Sequence, residues 1–137
     1  MEELKIVIGI EPRTKKNNSE VKFNRKTGKP FISPSKAFKE YQAECFPYLY
    51  PMRHVLEGKK GLNIQAVYYM RTRRRVDLNN LHNALHDILV HYKVIDDDNS
   101  EVIAATDGSR VKFDKDFPRT EITITQIQEV KNESENK

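Results

Sequence analysis

Residues 62–98 read LNIQAVYYM RTRRRV D LNNLHNALHDILVHY KVI DDD, and this stretch decides the fold. Leu62, Ile64, Ala66, Tyr68 and Met70 fall on alternate positions, the pattern of a strand buried on one face. The basic run Arg71-Thr72-Arg73-Arg74-Arg75 leaves its end. Asp77 then stands where a helix N-cap stands, because its short carboxylate can accept the unpaired N–H groups of a first turn. Leu78, Leu81, Leu85, Ile88, Leu89 and Tyr92 follow at helical spacing, so the spacing predicts an amphipathic helix. About four turns of helix span roughly 24 Å. Lys93-Val94-Ile95 leads into Asp96-Asp97-Asp98-Asn99. For Asp77 to meet the Asp97-Asp98 pair, the chain after Tyr92 must fold back along that helix.

Working outward, Leu4 to Ile10 is rich in β-branched residues and reads as a strand. Glu11 to Asn18 is a polar, basic loop holding Pro12, Lys15 and Lys16. Val21-Lys22-Phe23 begins a hairpin that turns at Lys26-Thr27-Gly28-Lys29 and returns through Phe31-Ile32. Ser33 or Ser35 caps a helix running to Phe46, with Ala37, Phe38, Tyr41 and Cys45 as its apolar stripe. Pro47 and Pro51 end it and open a loop through Gly61. Beyond the acidic segment, Glu101 to Thr106 reads as a short strand, Asp107-Gly108 as a turn, and Thr120 to Ile127 as a last strand. The expected fold is α/β (α+β): one domain over residues 4–127, with a mixed β-sheet packed by two main helices. Residues 128–137 are expected to be a disordered polar tail.

The chain has 137 residues, the length of one ordinary domain, and 24 Lys and Arg against 20 Asp and Glu give a net charge of +4. A modest excess says little alone, but Arg71, Arg73, Arg74, Arg75 and Arg110 flank the acidic cluster. A single cysteine, Cys45, excludes an intramolecular disulfide and a zinc site made of cysteine pairs. Met1-Glu2-Glu3 is acidic, the apolar run Ile6 to Ile10 is too short for a signal peptide, and no stretch approaches the roughly 20 apolar residues of a membrane span. No membrane partner is therefore expected, and a cytoplasmic location is.

Adjacent aspartates in a basic neighbourhood suit one chemistry in particular. Magnesium takes oxygen ligands, commonly one or two carboxylates with waters and substrate phosphate. Phosphodiester hydrolysis needs an activated water and neutralised charge, which such an ion supplies. The arginine forks of residues 71–75 match phosphate oxygens, and Lys15 and Lys16 add a second basic region. Blander readings stand beside these: Asp77 as a helix cap only, Asp96 to Asn99 as a solvated turn, and Arg71 to Arg75 as a surface loop.

The run Arg74-Arg75-Val76-Asp77-Leu78-Asn79-Asn80-Leu81, then Asp87, then Val94-Ile95-Asp96-Asp97-Asp98, resembles the signature of the RusA family of Holliday junction resolvases. Glu11-Pro12 to Lys16, Lys29-Pro30-Phe31-Ile32-Ser33 and Pro118-Arg119-Thr120-Glu121-Ile122 resemble its flanks. The resemblance implies a homodimeric endodeoxyribonuclease of DNA recombination and repair, dependent on magnesium (manganese as the alternative), often carried by bacteriophages or prophages, and acting on branched, four-way DNA. By position, Asp77 and Asp98 match metal-binding carboxylates and Asp97 the neighbouring acid. Asn79 falls where the family has a further carboxylate, and is expected to complete the metal shell as a neutral ligand. Asn83 falls where the family has a helix lysine, and His82 and His86 lie close by in the sequence as stand-ins. The DNA contacts expected from the placement of basic residues around the acidic cluster are Arg71, Arg73, Arg74, Arg75, Lys15, Lys16 and Arg110.

Overall fold

The alternation of residues 62–70 forms the middle of the protein. The computed structural model describes residues 3–15, 20–33 and 36–127. Along the chain these form β1 (Leu4–Ile8), β2 (Glu20–Phe23), β3 (Pro30–Ser33), α1 (Lys36–Glu44), α2 (Phe46–Leu49), a 3-10 turn (Tyr50–Met52), β4 (Leu62–Met70), α3 (Leu78–His91), β5 (Ile103–Ala105), β6 (Arg110–Phe113) and β7 (Arg119–Gln126). In the main sheet β7 lies between β1 and β4, antiparallel to both. β5 and β6 both run parallel to β4, β5 beside its start and β6 beside its end. The sheet is therefore mixed, as expected, and β4, α3 and β5 make a crossover unit.

One face of this sheet is buried. Ile6 and Ile8 of β1, Ile64, Ala66 and Tyr68 of β4, and Ile122 and Ile124 of β7 share a core with Leu81, Leu85, Ile88 and Leu89 of α3 and Phe38 and Tyr41 of α1. Val7, between two buried isoleucines, is exposed, as the period of two requires. The mixed sheet packed by α1 and α3 matches the architecture read from sequence. No described helix is long and apolar enough to cross a membrane.

Several boundaries differ from expectation. β1 stops at Ile8 rather than Ile10. α1 ends before Pro47 as expected, but the loop through Gly61 opens only at Arg53. Pro47 sits in the first turn of α2 and Pro51 in the 3-10 turn, where a missing N–H removes no helical bond. Leu49 and Leu56 tie this segment into the core. The hairpin forms, but its turn is set by Asn24, whose Oδ1 accepts from Lys26 N at 2.8 Å and Thr27 N at 3.1 Å. Ser33 ends β3, so it is no helix cap. Ser35, Lys16 and residues 128–137 lie outside the described residues.

β6 has no counterpart in the sequence reading, because all four of its residues are exposed and leave no buried alternation. It extends the edge begun by β5 across a break at Asp107 and Gly108. There Asn63 acts as a piece of strand: its Oδ1 accepts from Asp107 N at 2.8 Å and its Nδ2 donates to Asp107 O at 3.2 Å. Ser109 Oγ accepts from Ala66 N at 3.0 Å. Side chains thus satisfy backbone groups that the interrupted ladder leaves open.

Candidate active site

Asp77 is the extended residue before α3, and its side chain accepts from the first-turn N–H groups, Asn79 at 2.8 Å and Asn80 at 3.3 Å. At the far end the chain reverses. Lys93 has a φ of +60°, Val94 N donates to Leu89 O at 2.9 Å, and Lys93 O accepts from His54 N at 2.7 Å. Val94 and Ile95 are then buried, which pulls the following aspartates back along the helix.

The three aspartates separate by role. Asp96 Oδ2 accepts from Gly58 N at 2.8 Å, fastening the segment to the loop before β4. Asp97 uses both oxygens locally, accepting from Asp98 N at 2.7 Å and Asn99 Nδ2 at 3.1 Å. Asp98 is exposed, and its carboxylate has no hydrogen bond among the described residues. It borders a cleft of about 290 Å³ with Lys15, Asn80, Asn83 and Asp87. Asn80, Asn83 and Asp87 lie three and four residues apart, on one face of α3. Lys15 Nζ is hydrogen-bonded to Asp87 Oδ2, which pins the basic loop against that face. The fold thus brings Asp98 onto the first half of α3, with Asp77 three residues before Asn80. Asn79 is exposed in the same first turn.

The oxygen donors at this cleft are the carboxylates of Asp98 and Asp87, the latter engaged by Lys15, and the amides of Asn80 and Asn83. Among the described residues no three His, Cys, Asp or Glu side chains converge as a metal-holding group. An oxygen set of one or two carboxylates with neutral amides fits magnesium, which completes its shell with water and phosphate. Softer ligands point elsewhere. Cys45 is buried, and burial pushes its thiol up to about 12. His82 is buried with its Nδ1 2.7 Å from Tyr68 Oη. His86 stacks on His82 at a centroid distance of 5.3 Å, and its Nε2 is buried without a partner. Burial pushes His86 down to about 4; His82 adds to this and the Asp87 carboxylate opposes it. His82 therefore serves the sheet–helix contact and His86 stacks on it, and neither lines the cleft where Asn83 stands.

The arginine run diverges. Arg71 N donates to Glu11 Oε2 at 2.9 Å, and its Nε lies 3.9 Å from Glu11 Oε1. The Arg73 guanidinium lies 4.2 Å from the centre of the Phe113 ring on β6. Arg74 and Arg75 line a second cleft, of about 470 Å³, which Arg13 and Thr14 also line. Arg110 is exposed at the start of β6, in register with Val67. Sequence reasoning missed Arg13, Thr14 and Asn80 as site residues and gave Asp87 no role. Arg13 had a signal, its place in the basic loop beside Lys15. The Lys15–Asp87 pair spans 72 positions, which no local spacing could reveal.

No curated protein matches the chain. A family model described as Endodeoxyribonuclease RusA matches residues 9–125, a span that contains both clefts and the whole of α3.

Proposed function

The chain belongs to the RusA family of endodeoxyribonucleases, and from that premise we propose that it nicks four-way DNA junctions by divalent-metal-dependent phosphodiester hydrolysis. One observation carries this reading: the unengaged carboxylate of Asp98 comes back to the polar face of α3, at Asn80 and Asn83, just below the head of the helix that Asp77 caps.

Asp98 and Asp77 would hold magnesium, or manganese, with an Asn79 amide oxygen as a neutral ligand. A bound ion supplies charge neutralisation at the phosphate and an activated water. Asp97 keeps Asp98 in place through its bond to the Asp98 N–H. Arg71, Arg73, Arg74, Arg75, Lys15, Lys16 and Arg110 receive the DNA backbone, the arginines by paired N–H donors. A four-way junction is two-fold symmetric, so paired nicking calls for two sites related by the same symmetry, hence a homodimer. Such an enzyme serves DNA recombination and repair in the cytoplasm of a bacterial or phage-infected cell.

The test is direct. Purified protein with a labelled four-way junction should nick it in magnesium and not in chelator. Asp98→Asn should lower the nicking rate roughly a hundredfold or more while junction binding survives. Equal nicking by wild type, Asp77→Asn and Asp98→Asn would refute the assignment.

A second reading is supported by Asn79, exposed where the family carries a carboxylate. The chain would then bind branched DNA with little or no cleavage. Binding without nicking at every metal concentration, with nicking gained in Asn79→Asp, would favour it.

A further inference from the structure

We propose that the cleft between the Glu11–Thr14 segment and the arginine run is a second phosphate site, which holds a phosphodiester of the bound DNA strand apart from the metal-binding carboxylates. The inference rests on the reading of the chain as a junction nuclease and adds where the strand runs.

Three cations line the cleft: Arg13 from the N-terminal loop, and Arg74 and Arg75 from the run after β4. Among the described residues none of the three has an ion pair. The one acidic residue of the lining, Glu11, already accepts the Arg71 N–H and faces the Arg71 guanidinium. The cleft is thus built with its positive charge unneutralised, and an anion is the ligand that cancels it. Thr14 is the second observation. It lines the cleft, is 6% exposed, and among the described residues its Oγ1 is buried without a partner. A buried hydroxyl without a hydrogen bond is costly, and a turn about χ1 offers it to a phosphate oxygen in the cleft. A volume of about 470 Å³ takes a phosphate with part of its nucleotide.

The place of the cleft in the fold names the source of that phosphate. Thr14 lines this cleft and Lys15, the next residue, lines the cleft of Asp98. Leu81 borders the first on α3 and Asn80 the second. The linings of the two clefts thus meet at two steps of the chain, Thr14 to Lys15 and Asn80 to Leu81 near the head of α3. A strand with its scissile phosphate at Asp98 lays a neighbouring phosphate against Arg13, Arg74 and Arg75, and this second grip fixes which bond faces the carboxylates.

Two measurements on the metal-free full chain test this. First, inorganic phosphate is titrated into isotopically labelled protein and followed by NMR. Arg13, Thr14, Arg74 and Arg75 should shift together and saturate. Thr14→Val should weaken phosphate about fivefold without lowering the melting temperature, since the removed hydroxyl had no partner. A lowered melting temperature with unchanged phosphate affinity would make Thr14 structural and overturn its role. Second, junctions carrying a single uncharged methylphosphonate are scanned position by position. One lesion near the crossover should weaken wild-type binding about tenfold, and the same lesion should have no further effect on the Arg13→Gln, Thr14→Val protein. A scan in which that protein loses sensitivity at no position overturns the proposal, and saturable phosphate binding alongside it would mark a site for free anions only. Wild-type protein that binds phosphate here but no junction would sink the nuclease reading and leave the anion site standing.

Discussion

Asp77 and Asp98 stand in opposite structural circumstances, and this separates their charge from their packing. The side chain of Asp77 holds two first-turn N–H groups. Asparagine caps a helix about as well as aspartate, whereas alanine does not. Asp77→Asn should therefore keep its urea midpoint while losing nicking, and Asp77→Ala should lose nicking and about 1 kcal/mol of stability. Asp98, with no side-chain bond to lose among the described residues, should tolerate Asn without any change in midpoint. If Asp98→Asn unfolds the protein, its loss of nicking says nothing about metal. His86 makes a separate prediction. Its folded form holds a proton only near pH 4, well below the ordinary 6.5. Between those values the unfolded chain binds more protons than the folded one, so stability must rise with pH across that window. Going down from pH 7 to 4 should remove up to about 3 kcal/mol, and His86→Phe should flatten that fall in urea titrations at each pH. Composition and spacing do not rank three adjacent aspartates; only the family resemblance singles out Asp98, and it gives no physical reason. Their ranking comes from Gly58, Asn99 and the buried Val94-Ile95 pair, contacts that only the folded chain assembles.

At the scale of elements, legibility follows burial. β4 and α3 each present one apolar face to the core, so their periods of two and 3.6 are written in the sequence. α2 is not legible in the sequence because a proline after a helix reads as a breaker, although in a first turn it fits. β6 escaped because an exposed edge strand needs no apolar alternation. What leads the chain into the β4–β6 ladder is the chemistry of the break: Asn63 on the Asp107 backbone, Ser109 on Ala66, and Gly108 at a φ of +87°. A Cβ on Gly108 would also stand 2.4 Å from Gln65 Oε1. Gly108→Ala should then cost about 1–2 kcal/mol from the left-handed backbone and the crowding together. Gln65→Ala in the same protein should recover the crowding part and not the backbone part. An unchanged midpoint in Gly108→Ala would show that the edge relaxes freely. Because Arg73 lies over Phe113 of β6, loosening this edge should also weaken DNA binding.

At the scale of the whole molecule, an excess of only four positive charges must serve a polyanion, so placement has to do what amount cannot. The 20 acidic residues are spread through the chain, but Arg13, Arg74 and Arg75 share one cleft, and its single acidic neighbour is occupied. Each phosphate that a cation neutralises releases counterions, which lowers the logarithm of affinity by about 0.9 for each unit of log salt. If about four phosphates are held, junction affinity without metal should fall roughly a hundredfold between 50 and 200 mM salt. Replacing Arg74 and Arg75 by Gln together should reduce that slope by up to about 0.9, the share of the one phosphate they grip with Arg13. On the proposed reading the Asp98 carboxylate meets the DNA through metal and not through released counterions, so Asp98→Asn should leave the slope as it is. This outcome divides the molecule's two tasks between its two clefts. A slope that responds to Asp98 as strongly as to the arginines would mean that one undivided surface does both, and the adjoining clefts at the head of α3 would then be a single site.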